Sequence, residues 1–120
     1  MADVFTNLGE AWSADLWDGT VAAPTNYYIH WGTGAGTAAK GDTTLFTAAA
    51  EARVAASESQ PTAESNRFVG TLTSASSQTI TNAGLFTAIT GGSMVIKGDH
   101  AGIALGIGDK IEYTIELDHQ

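Results

Sequence analysis

The chain has 120 residues, no cysteine, and 13 acidic against 5 basic side chains, which gives a formal net charge of −8. This length corresponds to one domain, and the lack of cysteine excludes a disulfide framework and a thiolate metal site. Five scattered Lys and Arg residues do not make the cationic face that nucleic acid or an anionic membrane surface requires. No apolar run reaches the ~20 residues of a membrane-spanning helix, and the first residues lack the basic start and apolar core of a signal peptide.

The composition favours β-structure. The chain has 20 Ala, 16 Thr, 14 Gly and 8 Ser, a mixture that suits closely packed strands better than a helical bundle. A domain of this size has a limited core, so we expect neighbouring subunits to complete its stability and predict a homo-oligomer.

The first segment predicts a short amphipathic helix between Asp3 and Gly19, with Asp3 capping its start and Gly19 ending it. Its apolar residues lie on one side of a helix: Val4, Phe5, Leu8, Trp12 and Leu16. Two interpretations remain open. The helix packs on the core of its own domain, or it is an arm that docks Trp12 and Trp17 on another subunit.

The next segment changes to a period of two and predicts a strand over 27–31, followed by a glycine-rich loop over 32–36. Aromatic residues occur on both of its sides. We therefore predict that either Tyr28 and His30, or Tyr27, Ile29 and Trp31, are buried only in an assembly. The candidate interface residues of the whole chain are Phe5, Trp12, Trp17, Tyr28 and Trp31.

Further strands are predicted from apolar and alternating segments separated by turn residues. They lie at 51–57, 67–73, 78–81, 85–89, 94–97 and 111–117, with an exposed loop over 57–65 and an interruption at 82–84. About seven short strands predict a mainly β, single-domain antiparallel β-sandwich or jelly-roll-like barrel with a short N-terminal helix. Residues 1–25 would form the helix or arm, and residues 26–120 the β-sandwich.

The motifs that could indicate a cofactor, metal or catalytic site are weak. Residues 34–39 read G-x-G-x-x-A after a strand, but a break at 40–42 leaves no room for the long helix of a dinucleotide site, so we expect a turned loop and no cofactor. His30, His100 and His119 lack metal-ligand spacing, although Asp99 and His100 could contribute to a site assembled from distant positions. No nucleophile or metalloprotease motif is present. We expect no enzyme, no catalytic residue and no bound metal.

Several segments together resemble small structural proteins of tailed bacteriophage virions. The similarity covers roughly residues 26–118, and Ile80–Phe86 is its most specific part. The segments that carry it are Tyr28–Gly34, Gly41–Leu45, Arg53, Asn66–Arg67, Thr79–Phe86 and Gly108–Tyr113.

This resemblance implies a virion component that is assembled in the host cytoplasm and acts by binding the major capsid protein or other virion proteins. The first hypothesis is a capsid decoration (cement) protein, and the alternative is a tail, neck or fibre-base subunit. A third is a carbohydrate-binding module that uses Trp12, Trp17 or Trp31 as a stacking platform. Within the motif we expect Gly84 to supply a bend or bulge, and Leu85 and Phe86 to fill the core.

Overall fold

The computed structural model describes residues 3–118, which form seven strands and one helix. The elements are β1 (Asp3–Phe5), α1 (Asn7–Asp18), β2 (Tyr27–Gly32), β3 (Val54–Ser59), β4 (Ser65–Thr73), β5 (Gln78–Phe86), β6 (Met94–Leu105) and β7 (Lys110–Asp118).

All seven strands belong to one antiparallel sheet in the order β1-β6-β5-β2-β3-β4-β7. The sheet curls, so that β6 and β7 approach each other although no ladder joins them. His100 of β6 and Tyr113 of β7 meet there, with 2.9 Å between Nε2 and the phenolic oxygen. The predicted mainly β, antiparallel single domain with an N-terminal helix is confirmed.

The core lies inside the curl and is formed by side chains from β2 to β6. Trp31, Ile29, Ile80 and Leu72 are almost fully buried there. A fully buried aliphatic side chain contributes about 2 kcal/mol of transfer free energy. The predicted alternation of the last strand is confirmed, because the odd-numbered residues 111–117 are half-buried while the even-numbered residues 110–118 are exposed.

The start of the helix differs from the prediction. Asp3 does not cap it, because residues 3–5 pair with Ile96–Gly98 as an edge strand. The N-cap is Thr6, whose hydroxyl accepts a hydrogen bond from the Gly9 N–H and donates one to the Met94 carbonyl. The predicted end is confirmed, since Gly19 has a left-handed φ of 82° directly after the helix.

The predicted interruption at 82–84 is wrong. These residues continue β5 and pair in register with Gly32, Trp31 and His30 of β2. The register shifts against β6 lie elsewhere, between Ile80 and Asn82 and between Leu85 and Phe86. Gly84 itself pairs with His30 and with Lys97. A Cβ on it would lie 3.0 Å from the Met94 sulfur and 3.1 Å from the Ile96 carbonyl oxygen, so its small size permits close packing.

Candidate functional site

An open groove of about 840 Å³ lies between α1 and the sheet. Its deep part is formed by buried apolar side chains of Phe68, Leu85 and Val95. Trp12 of α1 and Tyr27 of β2 form part of its wall. The groove is thus a concave surface of mixed polar and apolar character that brings together distant parts of the sequence.

The aromatic side chains of the groove are fixed by contact with one another. The Trp12 and Tyr27 rings meet edge to face, with 5.7 Å between centroids, and Tyr27 meets Phe68 in the same way at 5.1 Å. Such pairs are worth about 1 kcal/mol each beyond the area they bury. Burial, and next the negative charge of Glu58, raise the pKa of Tyr27, so the hydroxyl is neutral over the physiological range.

Three of the five predicted interface residues, Phe5, Trp12 and Trp17, line this groove. Phe5 and Trp12 are half-buried, whereas Trp17 is 91% exposed, more than any other large apolar side chain of residues 3–118. The structure therefore brings these three side chains of β1 and α1 to one groove.

The other two predicted interface residues, Tyr28 and Trp31, lie elsewhere. Trp31 is 0% exposed, and its indole N–H donates to the Glu51 carboxylate at 2.9 Å. It therefore offers no face to a partner or to a sugar, and the predicted stacking platform is reduced to Trp12 and Trp17. Tyr28 is half-buried against a small cluster of Leu45, Phe86 and Met94.

The prediction that one side of β2 is buried only in an assembly is wrong, because the chain covers both sides itself. Ile29 and Trp31 lie in the core, while residues 33–53 fold back over the other side and bury His30. The His30 ring contacts the Glu51 carbonyl, with 2.6 Å between Nε2 and oxygen. Backbone bonds from Thr33 and Gly34 to residues 46–47 hold this long connection in place.

Two anchors fix the middle of this connection. Lys97 is fully buried, and its ammonium donates to the Asp42 carboxylate at 3.0 Å and to the Thr44 carbonyl at 2.8 Å. The buried Asn82 amide both accepts from the Phe46 N–H and donates to the Phe46 carbonyl, each at 3.0 Å. These two hydrogen bonds take the place of those that a neighbouring strand would make to the Phe46 backbone.

Glu51 and Arg53 make the corresponding anchors at the end of the connection. The Glu51 carboxylate accepts from the Trp31 indole, the Ala75 N–H and the Gln78 amide. Burial alone would raise the pKa of Glu51, but these hydrogen bonds hold it below its ordinary value. Arg53 donates to the carbonyls of residues 88 and 91 and lies over the Phe86 ring.

Three backbone N–H groups of the segment 34–39 are already hydrogen-bonded, so they are not available to bind a pyrophosphate. The Gly34 N–H bonds the Phe46 carbonyl, and those of Ala38 and Ala39 bond the carboxylates of Asp99 and Asp42. No helix follows it within the residues that the structure describes. The segment is the turned loop that the sequence predicts, and it is held by the rest of the chain.

The predicted absence of a metal site can be examined over residues 3–118, where no group of three or more metal-ligating side chains occurs. The Asp99 carboxylate accepts from the Ala38 N–H, and the His100 ring is engaged by Tyr113 and the Ala101 carbonyl. His119 lies outside the described residues. No helix of residues 3–118 is both long and apolar enough to cross a membrane.

A family model described as podophage GP4 fiber I protein gp80 matches residues 9–112. The chain belongs to this family. No curated protein and no solved structure matches it significantly. The gp80 fiber family is a structural family of a tailed bacteriophage, so the predicted class of small phage virion structural proteins is confirmed and the chain is a virion structural protein.

The segments that carried the virion-protein resemblance serve this gp80 family chain mainly as anchors. Asp42, Arg53 and Asn82 hold the connection over the sheet, and Asp109 closes the last turn by accepting from the Gly106 N–H. Two further anchors, Glu51 and Lys97, were not predicted from the sequence. Lys97 carried a signal, since it is a cation that directly follows the apolar run Met94–Ile96 within a strand.

Proposed function

We propose that the chain is a subunit of the podophage fibre and that it docks on a neighbouring virion protein through the groove between α1 and the sheet. The observation that carries the assignment is the match of residues 9–112 to a podophage fiber protein family. The groove supports it, because it brings Phe5, Trp12 and the exposed indole of Trp17 together beside the sheet.

The proposed action is binding without chemistry. The polar side chains at the centre of the fold are engaged in fixing loops, as Lys97, Asn82 and Glu51 are. Such a domain offers its partner a rigid surface, which lowers the entropic cost of assembly. We also propose that several copies occur in each fibre complex.

The decoration role stays a prediction, and one experiment tests both locations. Purified virions are labelled with gold-conjugated antibody to the chain, and its copy number is measured by gel densitometry against a capsid protein. We expect label at the tail and a copy number that is a small multiple of three or six. Label over the whole head, with copies on the order of hundreds, would replace the fibre assignment by capsid decoration.

The docking surface is tested by a point substitution, because deleting residues 1–19 would also remove β1 and α1 from the fold. Trp17→Ala should reduce incorporation into virions without changing the melting temperature, since the indole is 91% exposed. Ile107→Ala is the matched control, as Ile107 is 80% exposed in the turn between β6 and β7, away from the groove. Equal incorporation of both variants and the parent chain would contradict docking through the groove.

A further inference from the structure

The groove is lined by apolar and neutral polar side chains and one carboxylate. Glu58 is the charged side chain among the described lining residues, and none of them is Lys or Arg. Its carboxylate accepts a hydrogen bond from the Asn66 amide at 2.8 Å, which fixes it at the edge of the groove. Tyr27 lines the same groove, and the Glu58 charge adds to the effect of burial in raising the pKa of its hydroxyl.

The helix adds negative charge at the same end. α1 has no basic residue in its last turn, although its carbonyl end carries a negative partial charge. Asp15 and Asp18 instead bring two further carboxylates to this end. This placement is the reverse of the one that stabilises a helix, and departures from a local rule are typical of functional surfaces.

Trp17 lies at this negative end and lines the groove. An indole face attracts a Lys or Arg side chain through its quadrupole, and an Arg can also stack on it. A cation at this position would therefore meet the indole and the negative end of α1 together, while an apolar neighbour in the same ligand could enter the groove.

A second copy of the chain does not match this surface. Two copies with a net charge of −8 each repel one another. Four of the five basic side chains are already engaged within the chain: Lys40, Arg53, Arg67 and Lys97. We therefore expect the complementary charge to come from a different protein.

We infer that the groove binds a segment of another virion protein in which an apolar side chain is flanked by Lys or Arg. The apolar side chain packs on Trp12 and Phe68, and the cation lies over Trp17 near Glu58. This inference rests on the proposed function of the groove as a docking site and adds the chemistry of the partner.

Three synthetic, Trp-free peptides test this chemistry with the full chain. The first carries Phe-Leu between two arginines, the second Phe-Leu between two glutamates, and the third Ser-Ser between two arginines. Binding is followed by the tryptophan fluorescence of the chain and by titration calorimetry. We expect the first peptide to bind at least about tenfold more tightly than either of the others, and its affinity to fall with added salt.

Matched variants separate the groove from general attraction to an acidic protein. Trp17→Ala and Glu58→Gln should each weaken binding of the first peptide at least about threefold. Ile107→Ala and Glu64→Gln remove an exposed apolar group and an exposed carboxylate that do not line the groove, and should leave binding unchanged. Circular dichroism checks that each variant is folded.

Equal binding of the first and third peptides, or no effect of Trp17→Ala, would overturn the inference. If the virion label lies on the fibre while the first peptide shows no preference, the chemistry assigned to the partner is wrong and the fibre assignment stands. If the peptide binds as expected and the label lies on the head, the chemistry stands and the location is wrong.

Discussion

Asp42→Ala should leave the Lys97 ammonium buried without its carboxylate partner. Lys97 is 0% exposed, and Asp42 is the acidic group that it contacts, at 3.0 Å between Nζ and Oδ2. The Phe46 ring lies beneath the ammonium, with 3.2 Å from Nζ to the ring centroid, and the Thr44 carbonyl accepts a second hydrogen bond. These two contacts remain in the variant and compensate for only part of the lost carboxylate.

The expected loss of unfolding free energy is about 2–3 kcal/mol. Removing one partner of a fully buried ion pair costs about 3–5 kcal/mol, because a charge is left uncompensated. The value here is lower, since the Asp42 side chain is 24% exposed and the Thr44 carbonyl remains in place. The loss also includes the hydrogen bond that the Asp42 carboxylate accepts from the Ala39 N–H.

Urea denaturation followed by circular dichroism measures this loss at pH 7. Asp18→Ala, which removes an exposed carboxylate from the helix end, is the control and should change the free energy by less than about 0.5 kcal/mol. Lys97→Met added to Asp42→Ala should recover part of the loss, because it removes the unpaired charge and keeps the volume. A loss below about 0.5 kcal/mol for Asp42→Ala, or a double variant less stable than the single one, would refute this account of the pair.

Three further substitutions test the anchors and one turn. Asn82→Ala should lower the unfolding free energy by about 2–3 kcal/mol, because both backbone groups of Phe46 lose their partner; an unchanged urea midpoint would contradict this. The pKa of Glu51 is lowered in the folded chain. Its contribution to the free energy of unfolding is therefore complete above the unfolded pKa of about 4.3 and is lost as the pH falls through the lower folded pKa. Glu51→Gln should therefore make the free energy of unfolding less dependent on pH in the acid range. The same dependence in the variant and the parent chain would contradict this role of Glu51. Gly92→Ala should cost about 1–2 kcal/mol in thermal unfolding, because φ is +67° and the new methyl would meet the Thr87 hydroxyl; no loss would show that the turn relaxes.

Local patterns predicted the elements whose signals lie within a few residues. The alternation in β7 and the glycine that ends α1 are of this kind. β1 was missed because Val4 and Phe5 fit one face of a helix as well as a strand, and only their pairing with β6 decides between the two. The second half of β6, residues 98–105, has few charges and many small residues, so no alternation marks it.

The candidate site was predicted in part. Trp12 and Trp17 followed from their place on an amphipathic helix, but the groove also needs Tyr27 and Phe68, which come from strands distant in sequence. The burial of Trp31 was missed for a related reason. Residues 33–53 have no regular period, so the sequence does not show that they cover the second side of β2 and place Glu51 beside the indole.

The pairing of β1 with Ile96–Gly98 constrains the order in which the chain folds. Closing the loop between residues 3–5 and residues 96–98 is entropically costly, and contacts between positions so distant in sequence slow folding. During synthesis, residues 3–5 leave the ribosome long before their partner strand exists, and the Thr6 cap also waits for its bond to the Met94 carbonyl. The nascent chain therefore carries α1, with its exposed indole, unanchored until β6 has emerged, so this segment docks late on the sheet and is exposed to premature association until then.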